Sequence, residues 1–247
     1  MSLTDVYASK RRSAAQALAC IRDGDRIIVP TGVGEPPALL TALSDRRREW
    51  HDVTVAQILA MRKFGYIDPE TTAHVRHVAL FYGGATRQGG QQGWIDFTPN
   101  CFSELPAMIE RGQIGADVVL TMASPMDSHG WFSISLGTDY TMAAIARARA
   151  VVLEVNPNVP YAYGSCHVHL SQVGALVESE APILEVGLPA IGPVQEAIGR
   201  HVADMIDDGS TLQIGYGGIP DAVVLQLTGK HDLGVHTEML GDGILNL

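Results

Sequence analysis

Short apolar runs punctuate the chain at Arg26–Pro30, Val53–Ala56, His77–Tyr82, Asp117–Thr121, Ala150–Val155 and Thr211–Ile214. Several are continuously apolar rather than alternating, the pattern of strands covered on both faces. Helix-forming segments fall between them: Ser9–Arg22, Pro37–Arg48, Ser103–Arg111, Thr141–Arg149 and Pro193–Ile206. His167 and His169 alternate on one further strand, and Leu233–Thr237 reads as another. Strand–helix–strand order of this kind predicts an α/β fold with a mostly parallel sheet.

Two stretches of the pattern repeat. Gly24 to Leu43 and Gly209 to Leu227 each read as turn, strand, glycine-rich turn, then a helix with proline in its first turn. Gly24 matches Gly209, Val29 matches Ile214 and Gly32 matches Gly217. After a one-residue gap Pro36 matches Pro220, Ala38 matches Ala222 and Leu43 matches Leu227. The repeat predicts a duplicated α/β unit, with the boundary in Leu188–Pro193. The expected domains are residues 1–188 and 189–247. Only about 40 residues follow Gly209, so the second domain is expected to be incomplete within this chain. Its apolar last residues, Ile244–Leu247, point to truncation or an absent partner, and so to association with other copies.

Charge narrows the function classes. The formal net charge is −10, which argues against nucleic-acid binding, since phosphate neutralisation needs clustered Lys and Arg. The one dense basic run, Arg46–Arg48, lies between Asp45 and Glu49 and reads as a solvated helix end. No run approaches the roughly 18 uncharged apolar residues that would suggest a membrane span. The polar N-terminus has no signal-peptide core, so the cytoplasm is the expected compartment; no structure is assigned to Met1–Leu3. Cys20, Cys101 and Cys166 are far apart and outside metal-ligand spacing, and read as reduced, mostly buried thiols. His167 and His169 share a strand face but lack a third ligand, so no metal site is expected.

Chemistry concentrates near the end of the chain. The turn Gly215-Tyr216-Gly217-Gly218-Ile219-Pro220 follows a strand and opens a helix, where free N–H groups can meet an anion. It is neither a dinucleotide fingerprint nor a Walker A loop, because Pro220 replaces the third glycine and no Gly-Lys-Ser/Thr follows. By itself it reads equally as a structural turn or a ligand loop. One strand later comes His236-Thr237-Glu238-Met239, with Asp242-Gly243 after it. Glu238 is expected at a strand's carboxyl end, where ligands of parallel sheets bind. From position alone a surface or salt-bridged role is the commoner reading of such a Glu.

Taken together, Gly215–Pro220, His236–Met239 with Asp242-Gly243, and Glu154-Val155-Asn156 with Pro160, Gly164 and Val168–Ser171 resemble the acetyl-CoA hydrolase/transferase family, which includes 4-hydroxybutyrate, succinyl and butyryl CoA-transferases. The similarity runs over essentially the whole chain. It implies a CoA-transferase-like fold of duplicated α/β domains, with Glu238 as the covalent residue and Gly215, Tyr216, Gly217, Gly218 and Ile219 as the CoA-binding loop. It also implies acyl-CoA and a short carboxylic acid as substrates, with coenzyme A a substrate rather than a bound cofactor. The backbone N–H groups of Gly217 and Gly218 are candidate oxyanion donors. A thioesterase using the same Glu, or an inactive CoA-binding fragment, is the alternative. A sugar-phosphate isomerase-like protein is argued against by His-Thr-Glu. The loop Gly83–Gly90 is expected to be flexible and to wall an acyl pocket, with Arg87 a candidate for a substrate carboxylate. Phe102-Ser103-Glu104 reads as a capped helix start, and Asp127-Ser128-His129-Gly130 as a turn.

Overall fold

A computed structural model describes residues 2–187 and 190–247. The chain forms two compact units, Met1–Leu184 and Glu185–Leu247. The sequence boundary between residues 188 and 189 falls on Leu188 and Pro189, outside the described residues.

The first unit is built on a seven-stranded sheet. Its strands are β1 (Arg26–Ile28), β2 (Val53–Gln57), β3 (Val75–Ala79), β4 (Asp96–Phe97), β5 (Val118–Ala123), β7 (Ala150–Val155) and β9 (Ala175–Glu178). Their order is β4-β3-β2-β1-β5-β7-β9, and every pairing is parallel. Consecutive side chains enter opposite cores. Ile27, Val118, Leu120 and Val152 pack on one face, with Leu18, Leu39 and Leu43. Ile28, Val119, Val151 and Leu153 pack on the other, with Leu105, Ile109 and Ile145. This explains the continuous apolar runs of the central strands, which helices cover on both faces; exposed positions include Arg26 at the start of β1, Arg76 on β3, Asp96 and Phe97 on β4, and Glu178 at the end of β9. Helices α2 (Ala14–Ala17) and α3 (Pro37–Asp45) cover the first face, and α5 (Leu105–Glu110) and α6 (Thr141–Arg147) the second. A two-stranded antiparallel ribbon, β6 (Trp131–Ser133) with β8 (His167–His169), adds Phe132 and Val168 to the second core.

Three local expectations are corrected. The segment Ser9–Arg22 is not one helix. Helix α1 (Leu3–Lys10) starts on a Ser2–Asp5 capping box, and α2 starts on a second box, Ser13–Gln16. Between them Arg11 is extended and bridges to Leu176, so a helix there would lose a sheet contact. The Gly83–Gly90 segment is not a flexible loop throughout, since α4 (Arg87–Gln92) begins within it. A Cβ at Gly89 would collide with Ile95 and Trp94, and one at Gly90 with Tyr82, so these glycines permit close packing rather than motion. The helix near Ser103 has no side-chain cap; a turn at Phe102–Glu104 leads into α5, whose first turn holds Pro106.

The second unit contains β10 (Thr211–Leu212) and β11 (Gly234–Val235), paired in parallel, with α7 (Pro193–Ala203) and α8 (Gly218–Leu225). Its core centres on Ala203, Leu212 and Leu227. The two units repeat one β-α-β plan down to single hydrogen bonds. Gly24 N–H donates to His51 C=O at 3.0 Å, and Gly209 N–H to His231 C=O at 2.9 Å. His51 N–H donates to the Asp23 carboxylate at 2.8 Å, and His231 N–H to that of Asp208 at 2.9 Å. Asp52 and Asp232, the next residues, are the two non-glycine residues with positive φ among those described, at 53° and 57°. The match therefore extends beyond the segment in which the sequence similarity is visible. Among the described residues no helix is long and apolar enough to cross a membrane.

Candidate functional site

In the second unit the glycine turn and Glu238 leave neighbouring parallel strands at their carboxyl ends. Gly217 has φ +130°, a conformation that L side chains rarely adopt, and is the N-cap of α8. The N–H groups of Gly217 and Gly218 have no protein hydrogen-bond acceptor among the described residues, as expected at a helix start. Tyr216 and Ile219 point their side chains to solvent, being 60% and 46% exposed. Glu238 is exposed and lies three residues beyond β11. The turn and the carboxylate are linked through their neighbours. Thr237 Oγ1 accepts a hydrogen bond from Ile214 N–H at 3.0 Å and donates one to Ile214 C=O at 2.8 Å. Gly215 follows Ile214 and Glu238 follows Thr237, so one hydroxyl connects the roots of both candidates.

The first unit carries a buried polar group at the same end of its sheet. Glu35, in the turn after β1, is wholly buried. One of its oxygens accepts from Gln57 Nε2 (3.3 Å) and Met61 N–H (3.2 Å), and the other pairs with Arg62 at 3.2 Å. Burial pushes its carboxyl above the usual range, against the pull of these donors. Glu154 on β7 is also wholly buried and accepts from Ala38 N–H (2.8 Å) and Leu39 N–H (3.1 Å) at the start of α3; burial again raises it. Asp139 receives Thr31 N–H at 2.7 Å and Thr141 Oγ1 at 2.6 Å. Leu136 and Gly137 press on Gly34 and Pro30. Around the turn after β1 the first unit thus packs its own backbone and side chains closely. Glu35 and Asp139 were not singled out in the sequence. The signal for Glu35 was available in Gly34-Glu35-Pro36-Pro37, a carboxylate inside a glycine–proline turn.

Other sequence candidates resolve plainly. Arg87 is exposed at the start of α4. His167 Nε2 bonds to Ala162 C=O and His169 Nδ1 to Ser171 Oγ, and among the described residues no three His, Cys, Asp or Glu side chains converge as a metal site would require. Asp127 accepts from the N–H groups of His129 and Trp131, which makes its segment a turn. All three cysteines are free; Cys166 is buried, Cys20 is half-buried, and Cys101 is exposed, contrary to expectation.

Comparison with known proteins places this geometry in a family. Residues 1–186 match the acetyl-CoA hydrolase/transferase N-terminal domain. The chain is 41% identical over 241 residues to a succinyl-CoA:cyclohexane-1-carboxylate CoA transferase of Geobacter metallireducens, covering 98% of this chain and 55% of the relative. It is 37% identical over 247 residues to a 4-hydroxybutyrate coenzyme A transferase of Clostridium kluyveri, covering 100% of this chain and 58% of the relative. The crystal structure of RipA from Yersinia pestis superposes with a TM-score of 0.93 at 30% identity, over 100% of this chain and 60% of RipA. The chain thus spans a little over half the length of the relatives it matches. With three-quarters of its residues in the family domain, and 41% identity to a relative named as a CoA transferase, the chain belongs to the acetyl-CoA hydrolase/transferase family.

Proposed function

We propose that this chain carries the nucleophile of a CoA-transferase that moves coenzyme A from an acyl-CoA to a carboxylic acid. The observation that carries the reading is the arrangement in the second unit, an exposed Glu238 beside an open glycine turn, in a chain whose relatives are named as CoA-transferases. A glutamate is ionised at neutral pH, with a reference pKa of about 4.3. The Glu238 carboxylate attacks the thioester carbonyl, the C–S bond breaks, and an acyl–glutamyl anhydride forms with release of CoA thiolate. The thiolate attacks the glutamyl carbonyl, expelling the acyl group as a carboxylate and leaving a glutamyl-CoA thioester. An acceptor carboxylate reverses both steps, departs as the new acyl-CoA and regenerates Glu238.

Each step passes through a tetrahedral oxyanion. The unpaired N–H groups of Gly217 and Gly218 would stabilise it, and a single such donor is worth roughly 10²–10³ in rate. Gly215–Ile219 is the proposed CoA-binding loop, with the exposed Tyr216 and Ile219 side chains available to the apolar part of coenzyme A. The acceptor class is a small carboxylic acid, as the relatives' names suggest; water in its place would make the same residue a thioesterase.

The test is covalent trapping. After incubation with acyl-CoA, intact mass is expected to rise by one CoA less one water. The adduct maps to Glu238, is released by hydroxylamine, and is absent from Glu238→Ala. No adduct in this chain or in a longer polypeptide containing it would sink the reading.

A further inference from the structure

We infer that Thr237 is a positioning residue, whose hydroxyl ends the β10–β11 ladder one step early and so holds Glu238 outside the sheet, at a set place beside the glycine turn. The inference rests on the proposed role of Glu238.

The ladder is regular up to this point. Gly234 N–H donates to Ser210 C=O, and His236 N–H to Leu212 C=O, each at 2.9 Å. The register pairs Thr211 with Gly234 and Leu212 with Val235, so Ile214 would next pair with Thr237. In a parallel ladder the following bonds run from Ile214 N–H to His236 C=O and from Glu238 N–H to Ile214 C=O. Neither forms. The Thr237 hydroxyl, a donor and an acceptor at once, stands in for both, receiving Ile214 N–H at 3.0 Å and donating to Ile214 C=O at 2.8 Å. Among the described residues the His236 carbonyl and the Glu238 N–H then make no hydrogen bond within the protein.

The first unit shows what the device does elsewhere. By the His51-Asp52 and His231-Asp232 match, Thr237 corresponds to Gln57 and Glu238 to Ile58. Gln57 also ties its strand end to the segment after the first strand, donating from Nε2 to Pro30 C=O at 3.0 Å. There the next N–H, that of Ile58, is closed off by the Tyr140 hydroxyl at 3.1 Å. Both copies fasten the same two segments with a side chain at the same position. In the second copy a carboxylate follows the clasp where the first copy has Ile58.

The discriminating pair is Thr237→Val, which keeps the shape but removes the hydroxyl, and Thr237→Ser, which keeps the hydroxyl. The adduct rate at Glu238, per folded molecule, is expected to fall at least about tenfold in the Val variant with little change in KM for acyl-CoA, and to stay within about threefold in the Ser variant. Amide exchange at Glu238 is expected to slow in the Val variant, because the backbone ladder is then free to close on it. A stability effect alone would lower Tm and leave both readouts unchanged. A wild-type adduct rate in the Val variant, or a Ser variant as slow as Val, overturns the inference. If the wild-type chain forms no adduct, the functional reading is what has failed. The clasp is then judged by exchange alone, and unchanged protection at Ile214 and Glu238 in the Val variant overturns it.

Discussion

His77 shows what a single residue contributes at a buried position. Its side chain lies on the core-facing side of β3, where Val75 and Ala79 flank it, and stacks on Tyr66 with ring centroids 6.1 Å apart. Neither ring nitrogen has a partner, and burial pulls its pKa from 6.5 down to about 4. Because the folded value lies below the unfolded one, the unfolded chain takes up a proton that the folded chain refuses. Stability is therefore complete above pH 6.5 and is lost as pH falls toward 4. The loss from this residue is on the order of 3 kcal/mol. Glu35, Glu154 and Asp139 act in the opposite direction: their raised folded values mean that ionisation above the ordinary carboxylate range costs stability. His77→Phe removes the histidine's share. Urea unfolding of both proteins between pH 4 and 7 is expected to show a difference that grows steadily in favour of the variant as pH falls. A difference independent of pH would show that His77 takes up its proton as readily in the folded protein as in the unfolded chain.

Helix α3 depends on a distant part of the chain for its cap. It opens on Pro36-Pro37 and has no side-chain cap of its own. The cap comes from Glu154, 116 residues away, whose carboxylate accepts the N–H groups of Ala38 and Leu39. A negative charge at this end also suits the helix dipole. Glu154→Ala leaves one buried N–H, that of Leu39, and one partly buried N–H, that of Ala38, without acceptors and is expected to cost about 2–4 kcal/mol in equilibrium unfolding. Glu154→Gln retains an acceptor and is expected to cost about 1 kcal/mol. Equal losses in the two variants would mean that charge, rather than hydrogen bonding, is what the helix requires. The sequence pattern shows where α3 lies, from its apolar spacing and its prolines. It does not show the cap, because the donor and acceptor segments are brought together only by the β1-β5-β7 order of the sheet.

At the scale of the whole molecule, the two units are unequal in what supports them. Both large apolar cores lie within residues 1–184, one on each face of the seven-stranded sheet. Among the described residues the second unit buries five apolar side chains, those of Ala203, Leu212, Ala222, Val224 and Leu227, and has a two-stranded sheet. A fragment ending at Leu184 is therefore expected to unfold cooperatively, with a steep urea transition monitored by circular dichroism. The 185–247 fragment alone is expected to lack one, since so small a core does not offset the entropy of ordering the chain. A cooperative transition in the isolated second fragment would contradict this account.

The roles proposed for the glycine turn and Glu238 came from resemblance to a family, whereas local pattern alone determined the alternation of strands and helices, the parallel sheet and the duplication. Each of these depends on the residue's own neighbours: apolar runs, turn glycines, prolines at helix starts. Tertiary structure alone decided the break at Arg11, the helical fold of the segment after Gly84, the pairing of β6 with β8, the burial of Glu35, and the bond from Thr31 N–H to Asp139. It also decided the Thr237–Ile214 clasp, in which a hydroxyl 23 residues away takes the place of two backbone groups. Such features arise where segments far apart in the chain compete for the same hydrogen bonds and the same space. A one-dimensional pattern carries no record of which segment wins.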